Sequence, residues 1–373
     1  MSRVRIGVLF GGRSTEHEVS ILSARSIIGA IDPARYEVVP IYLDRSGRWL
    51  VGQSLQRLIE SGDSNQYVYL PPDPTQRSLV PAAEAGRAGP RLAALDVVFP
   101  VFHGLNGEDG TVQGVLELAN VPYVGSGVLG SALGLDKIYM KRAFAAVGLP
   151  VVDYVSTTRR GFENEPEAFL IEVESGFGYP CFSKFANSGS SVGTSKAHNR
   201  AELVDGLRLA AGFDRKLLVE KGIDARELEV SVLGNDEPEA SVVGEVIPAR
   251  EFYDYEAKYL DEGSRLAIPA DIPAALSDQV RAMAVKAFLA VDAAGMARVD
   301  FFLERGTNRL YLNEVNTIPG FTRISMYPKL WEASGLPYDR LLDRLIELAM
   351  QRFRDKQRSQ TAIDSRLLTQ AQG

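Results

Sequence analysis

The chain opens on an unbroken apolar run over residues 4–10 that ends in Gly11 and Gly12, and apolar positions then recur at helical spacing over residues 17–31. A run apolar on both faces that feeds a glycine turn and a helix predicts a buried parallel strand opening an α/β domain, with ligands at the strand's carboxyl end. Residues 36–43 and 96–102 repeat the strand pattern, and 111–119 the helical one. Residues 61–90 carry Pro, Gly, Ala and Ser in place of a period and read as a surface insertion. Leu133, Lys137, Met140, Phe144 and Val147 share helical spacing, so a single helix with a lysine on its apolar stripe is expected. That lysine either snorkels or meets a partner.

Residues 151–219 read as a compact α+β unit, and 217–223, 226–233 and 241–248 as strands. Glu227, Glu229 and Ser231 alternate with apolar residues; a hinge strand and an ordinary edge strand both fit. A helix capped by Ser277 leads into two stretches of another kind. Alternation puts Arg298 and Asp300 on one face of 297–303, and Leu312, Glu314 and Asn316 on one face of 310–316. The turn ERGTN at 304–308 makes them a hairpin, bringing Asp300 near Glu314 and Asn316. Such an oxygen set suits hard Mg2+, and a hairpin with a solvated polar face is the plainer alternative. The loop TIPGF (317–321) and SMYP (325–328) is stiffened by prolines, residues 338–350 form an amphipathic helix, and the polar stretch from Arg352 is expected to fray.

With 373 residues the chain exceeds one simple core. A net charge of −7 argues against nucleic-acid or anionic-membrane partners. The single cysteine, Cys181, excludes an internal disulfide and a cysteine-based zinc site. The start MSRVRI runs straight into a strand and no apolar run reaches membrane length, so a cytoplasmic protein is expected.

Several loops carry chemistry. HGLNGEDG at 103–110 has too many glycines for a mere connector. GSGVLG at 125–130 matches the dinucleotide fingerprint G-x-G-x-x-G but lacks the acidic residue about 20 positions on; a dinucleotide oxidoreductase stays as an alternative. A strand bearing Lys184 precedes the small-residue loop with Gly189, Ser190, Ser191 and Gly193, whose N–H groups can approach anionic oxygens. A phosphate-covering flap and a flexible hairpin tip fit it equally. Residues 251–266, rich in aromatic and charged side chains, suit a lid.

Taken in order, the segments GGRSTEHEVS (11–20), HGLNGEDG, GSG (125–127), DK (136–137), GSSVG (189–193), FYDYEAKY (252–259), RVD (298–300) and NEVNTIPGF (313–321) resemble the D-alanine:D-alanine ligases of the ATP-grasp superfamily. The resemblance covers residues 4–350. It implies an α/β and α+β chain of three domains: an N-terminal parallel-sheet domain (1–138), a central flap domain (139–224) and a catalytic domain (225–352), with a polar tail (353–373). ATP would lie between the last two, its phosphates on Lys137, Lys184, Gly189 and Ser191, its adenine on Glu220, Lys221 and Ile223, its ribose on Glu227. Asp300, Glu314 and Asn316 would hold two Mg2+ ions, with Mn2+ as a substitute. Glu16 would hold the first ammonium and reach Tyr259 through Ser190, with His103 beside the first substrate. Arg298 and the Gly320 N–H would stabilise the oxyanion, while Lys258, Ser325 and Met326 take the second carboxylate. A homodimer forming D-alanyl-D-alanine through an acyl phosphate is implied; a nucleotide-binding protein without catalysis is the other alternative. Phe185 stands where the family carries proline, and Ser183 where it carries an apolar residue.

Overall fold

The computed structural model describes residues 3–52, 55–60, 66–82, 92, 94–187, 189, 193–247 and 265–360. Its strands form three sheets. The first apolar run is β1 (Val4–Gly11), which pairs in parallel with β2 (Tyr36–Leu43) and β6 (Val97–Pro100). β3 (Trp49–Val51), β4 (Gln66–Tyr69) and β5 (Val80–Pro81) extend this sheet antiparallel beyond β2. The expected insertion thus supplies two strands, short enough to escape a periodicity reading. Helix α1 (His17–Ala30) follows β1, α2 (Leu55–Glu60) follows β3, and α3 (Thr111–Leu118) follows the 103–110 loop.

The single helix expected over 133–147 is two, α4 (Val128–Leu135) and α5 (Lys137–Ala146). Asp136 breaks it: its backbone is extended and its carboxylate accepts the Ile138 and Tyr139 N–H groups, as an N-cap does. The glycines of the 125–130 motif serve packing. A Cβ on Gly130 would lie 2.2 Å from the Asp292 carbonyl oxygen, and one on Gly295 3.1 Å from the Gly125 nitrogen.

The second sheet is wholly antiparallel, in the order β7 (Tyr154–Thr158), β10 (Lys216–Lys221), β8 (Cys181–Phe185), β9 (Ser195–Ala197). The apolar faces of α6 (Arg159–Asn164), α7 (Pro166–Gly176) and α8 (Arg200–Phe213) share its core. Neither unusual residue disturbs β8, whose register with β10 runs unbroken from Cys181 to Phe185. Phe185 stacks on Phe213 with ring centroids 5.3 Å apart, and buried Ser183 fits against Gly206.

The third sheet orders β13 (Arg265–Ala267), β12 (Glu239–Ile247), β11 (Ala225–Gly234), β14 (Gly295–Glu304) and β15 (Leu310–Asn316). β11 is central, which removes the edge-strand alternative. Asp300 lies opposite Glu314, as expected, but the register then shifts so that Phe301 faces Leu312. This bulge at Asn313 turns Leu312 into the core and leaves Asn313 and Glu314 on the cleft side, against the expectation that Leu312 and Glu314 share a face. Helix α9 (Ala274–Ala290) begins after Pro273, so Ser277 sits in its first turn rather than at its cap.

Helices α10 (Met326–Ala333) and α11 (Tyr338–Lys356) close the fold. Leu341, Leu345 and Ile346 of α11 join Ile6, Phe10 and Phe99 of the first sheet and Met296 of the third in one core. α11 does not fray at Arg352. That guanidinium lies 4.4 Å from the Tyr123 ring centre and donates to the Tyr123 carbonyl, and Lys356 pairs with Glu117.

Candidate active site

The N-cap at Asp136 starts α5 so that Lys137 and Lys141, one turn apart, project from the same face. Lys137 Nζ lies 2.9 Å from Glu314 of β15, and Lys141 Nζ 2.9 Å from Glu220 Oε1 of β10. Lys184 of β8 reaches the other Glu220 oxygen at 2.5 Å. Helix α5 therefore ties the second and third sheets together through buried ion pairs. Burial opposes ionisation of Glu220, yet Lys141 and Lys184 outweigh it and hold its carboxyl well below the usual carboxylate range. Burial likewise lowers Lys184, and Glu220 more than reverses it.

Between these sheets lies a cavity of about 400 Å3, a volume in the small-ligand range. Every sequence-derived nucleotide residue that is described borders it: Lys137, Lys184, Gly189, Glu220, Lys221, Ile223 and Glu227. Glu314 and Asn313 stand at its wall. Below them, Glu229, Asp300 and Glu314 are register partners across β11, β14 and β15. Arg298 grips Asp300 through two hydrogen bonds of 2.7 and 2.6 Å and sits 3.0 Å from Glu229. Burial works against its charge, but Asp300 and Glu229 raise its pKa well above the ordinary value. Asn316 donates to Asp300 at 3.0 Å.

A hard divalent ion fits this donor set. Asp300 and Glu314 supply carboxylate oxygens and Asn316 an amide oxygen, and both carboxylates now face side-chain cations whose place a metal can take. Among the described residues, no group of three or more His, Cys, Asp or Glu side chains is placed to hold a metal ion by itself.

A second cavity, about 780 Å3, opens at the carboxyl end of β1 and shares Gly189 with the first. Glu16 lines it; a Cβ on Gly189 would stand 3.0 Å from Glu16 Oε2 and 3.3 Å from Glu108 Oε2. His103 Nδ1 donates to the Ile318 carbonyl at 2.9 Å, and Ser23 Oγ lies 3.3 Å from Nε2. The carbonyl can only accept, which fixes the proton on Nδ1. Burial, with Arg298 nearby, lowers the His103 pKa to about 4. Glu108 accepts the Gly104 and Ile318 N–H groups at 2.8 and 2.9 Å, while burial and the Glu16 charge raise its pKa to about 8. In the loop after β15, the Phe321 N–H donates to Ser23 Oγ, and Ser325 Oγ accepts the Thr322 N–H and would meet a Cβ on Gly320 at 3.1 Å. Met326 is buried at the start of α10.

Ser190, Ser191, Lys258 and Tyr259, and with them the 251–259 lid, lie outside the described residues. Lys141, Glu108 and Asn313 were not singled out from the sequence, and Glu229 was read only as one of the alternating polar positions of its strand. Lys141 stands four residues after Lys137, Glu229 alternates with Glu227, and Glu108 lies within the glycine-rich loop, so each had a local signal. Asn313 had none, because only the bulge brings it to the cleft.

Family models described as D-ala D-ala ligase N-terminus and C-terminus match residues 5–126 and 143–347. A curated relative named D-alanine–D-alanine ligase from Heliobacterium modesticaldum is 53% identical, covering 97% of this chain and 98% of its own. One of the same name from a Thermoanaerobacter species is 51% identical over 95% and 99%. Among solved structures, a D-alanine-D-alanine ligase from Coxiella burnetii is 37% identical with TM-score 0.82, covering 96% of this chain and 97% of its own. VanG D-Ala:D-Ser ligase from Enterococcus faecalis is 34% identical with TM-score 0.83, over 93% and 100%.

Proposed function

The chain belongs to the D-alanine–D-alanine ligase family, with the ATP-grasp fold, and from that premise we propose how its two cavities divide the work. The protein joins two D-alanine molecules at the expense of ATP, supplying a peptidoglycan precursor. The observation that carries the site assignment is the 400 Å3 cavity whose wall gathers Lys137, Lys184, the 220–223 segment and Glu227 beside Glu314. ATP occupies it, with adenine on the backbone of 220–223, ribose on Glu227 and phosphates against Lys137, Lys184 and the Gly189 to Ser191 flap. Asp300, Glu314 and Asn316 hold two Mg2+ ions, or Mn2+ in their place, and bound metal neutralises phosphoryl charge.

The first D-alanine sits at the mouth of β1, its ammonium on Glu16 and with neutral His103 beside it. Its carboxylate oxygen attacks the γ-phosphorus, ADP leaves, and an acyl phosphate remains. The amine of the second D-alanine, its carboxylate on Ser325, the Met326 N–H and Lys258, adds to the acyl carbon. Arg298 and the Gly320 N–H stabilise the oxyanion, and phosphate departs as the amide forms and the amine loses its proton. Ser190 and Tyr259 tie the lid to Glu16. Three domains divided near residues 138 and 224, a cytoplasmic location and a homodimer complete the reading; no described helix is long and apolar enough to cross a membrane.

ADP release in the presence of D-alanine, L-alanine, D-serine and D-lactate tests this directly. ATP turnover that depends on D-alanine and yields the dipeptide is expected. ATP binding with no ADP release, or NAD binding at 125–130, would overturn it.

A further inference from the structure

The reading above leaves Lys141 without a role. Its side chain is 1% exposed and does not border the cleft. Its ammonium lies 2.9 Å from Glu220 Oε1 and 5.8 Å from the centre of the Tyr154 ring. Tyr154 and Glu220 are register partners on β7 and β10, so ring and carboxylate flank the ammonium from adjacent strands. Lys184, on the other Glu220 oxygen, does border the cleft and is the more exposed lysine, at 15%. One carboxylate thus serves two lysines, one sealed in and one at the ligand's edge.

We propose that Lys141 is a positioning residue for nucleotide binding: it keeps Glu220 neutralised at all times, so that Lys184 is able to leave that carboxylate for the phosphates of ATP. The proposal rests on the reading of the cleft given above. With Lys184 as its only partner, Glu220 would become an unpaired buried charge whenever Lys184 moved away, and such a charge is strongly destabilising. Lys184 would then be held on Glu220 and phosphate binding would bear the cost. With Lys141 in place, Glu220 always keeps one ammonium within reach. Lys141 and Lys184 together overcome burial to hold the Glu220 carboxyl well below the usual carboxylate range, while burial lowers the Lys141 pKa and Glu220 draws it back up.

Lys141→Met removes the charge and keeps the length. It should weaken ATP binding about tenfold or more, on the scale of a disturbed buried pair, and leave the affinity for adenosine, which has no phosphates, unchanged. KM for ATP should rise while kcat is largely kept, and Lys141→Arg should restore both. Adding Glu220→Gln to Lys141→Met removes the charge that holds Lys184. The double variant leaves only Lys184 without its carboxylate, at the cleft edge where phosphate can pair it, and should bind ATP within about threefold of the wild type. It also decides the matter if the single variant does not fold. Equal losses for ATP and adenosine in Lys141→Met, or a double variant that still binds ATP more than about tenfold weakly with adenosine unchanged, would overturn the proposal. Lys184→Met separates the two layers: if that variant binds ATP as the wild type does, the assignment of the cleft fails, whatever Lys141 does.

Discussion

The cleft between the second and third sheets and the mouth of the first sheet meet at Gly189, and each has buried ionisable groups in or behind its walls. At the cleft and just behind its wall these groups are ions held in pairs: Lys137 with Glu314, Lys141 and Lys184 with Glu220, Arg298 with Asp300 and Glu229. At the mouth the buried imidazole and acid are mostly uncharged near pH 7, His103 with its pKa lowered to about 4 and Glu108 with its pKa raised to about 8. Their partners are backbone groups of Gly104 and Ile318 and the Ser23 hydroxyl. Paired ions can exchange partners when a polyanion and its metal arrive, so the cleft is built for rearrangement. The neutral, hydrogen-bonded His103 and Glu108 fix geometry beside Glu16, which suits a small zwitterion.

The largest effect that would test this contrast is on the cleft side. Glu314→Ala removes a proposed metal ligand and the partner 2.9 Å from Lys137, and should cost at least about 10²-fold in kcat, as loss of other electrostatic stabilisers does. Near-normal dipeptide formation by the folded variant would remove Glu314 from the site. Asp300→Ala should behave alike.

On the mouth side the corresponding test is pH. Glu108 binds its proton more tightly folded than unfolded, so its contribution to stability is complete below about 4.5 and lost as pH rises through about 8. His103 acts oppositely: its contribution is complete above about 6.5 and lost as pH falls toward 4. The two slopes oppose each other between pH 4.5 and 6.5, leaving Glu108 alone above that range. Stability should therefore fall by about 2 kcal/mol between pH 6.5 and 8, and Glu108→Gln should flatten that fall in thermal melts. A slope unchanged in the variant would show that the mouth is not neutral in the way described.

How much of this was legible beforehand follows from the range of the forces involved. Period-two alternation is local, so Arg298, Asp300, Glu314 and Asn316 were readable as a polar hairpin face. The bulge at Asn313 depends on how β15 meets β14, and no local pattern announced it. The helix break at Asp136 carried an N-cap residue, but the apolar period continued across it and concealed the stop. Lys141 and Glu108 look like ordinary charged residues of a helix and a loop. Their environments come from Glu220, 79 positions beyond Lys141, and from the Ile318 N–H, 210 positions beyond Glu108. Burial of that kind is a tertiary property, and with it go the shifted pKa values.

A smaller effect probes the Ser23 hydroxyl, which meets His103 Nε2 and accepts the Phe321 N–H, each at 3.3 Å. Ser23→Ala leaves two buried groups short of a partner and should cost about 1–3 kcal/mol of stability, with KM for D-alanine raised and KM for ATP unmoved. Equal changes in both constants would mean that the mouth and the cleft are one electrostatic unit.

The finest test uses Tyr338, whose hydroxyl donates to the Phe321 carbonyl at 2.6 Å from the first turn of α11. Its ring also packs against Phe321, with centroids 5.8 Å apart, so Tyr338→Phe removes one hydrogen bond and almost no apolar contact. Phe321 belongs to the loop whose N–H groups and carbonyls hold His103, Glu108 and Ser23, and among the described residues the ion pairs at the cleft do not include Tyr338. If the mouth works by geometry, relaxing this loop should lower stability by about 0.5–1.5 kcal/mol, the net worth of one hydrogen bond. Because the lost interaction is between neutral groups, the effect should be the same in low and high salt. KM for D-alanine should rise by no more than a few-fold, about what 1 kcal/mol allows, while ATP affinity stays constant. A loss that shrinks in high salt, or one that falls mainly on ATP, would place charge rather than geometry at the mouth and erase the contrast between the two sites.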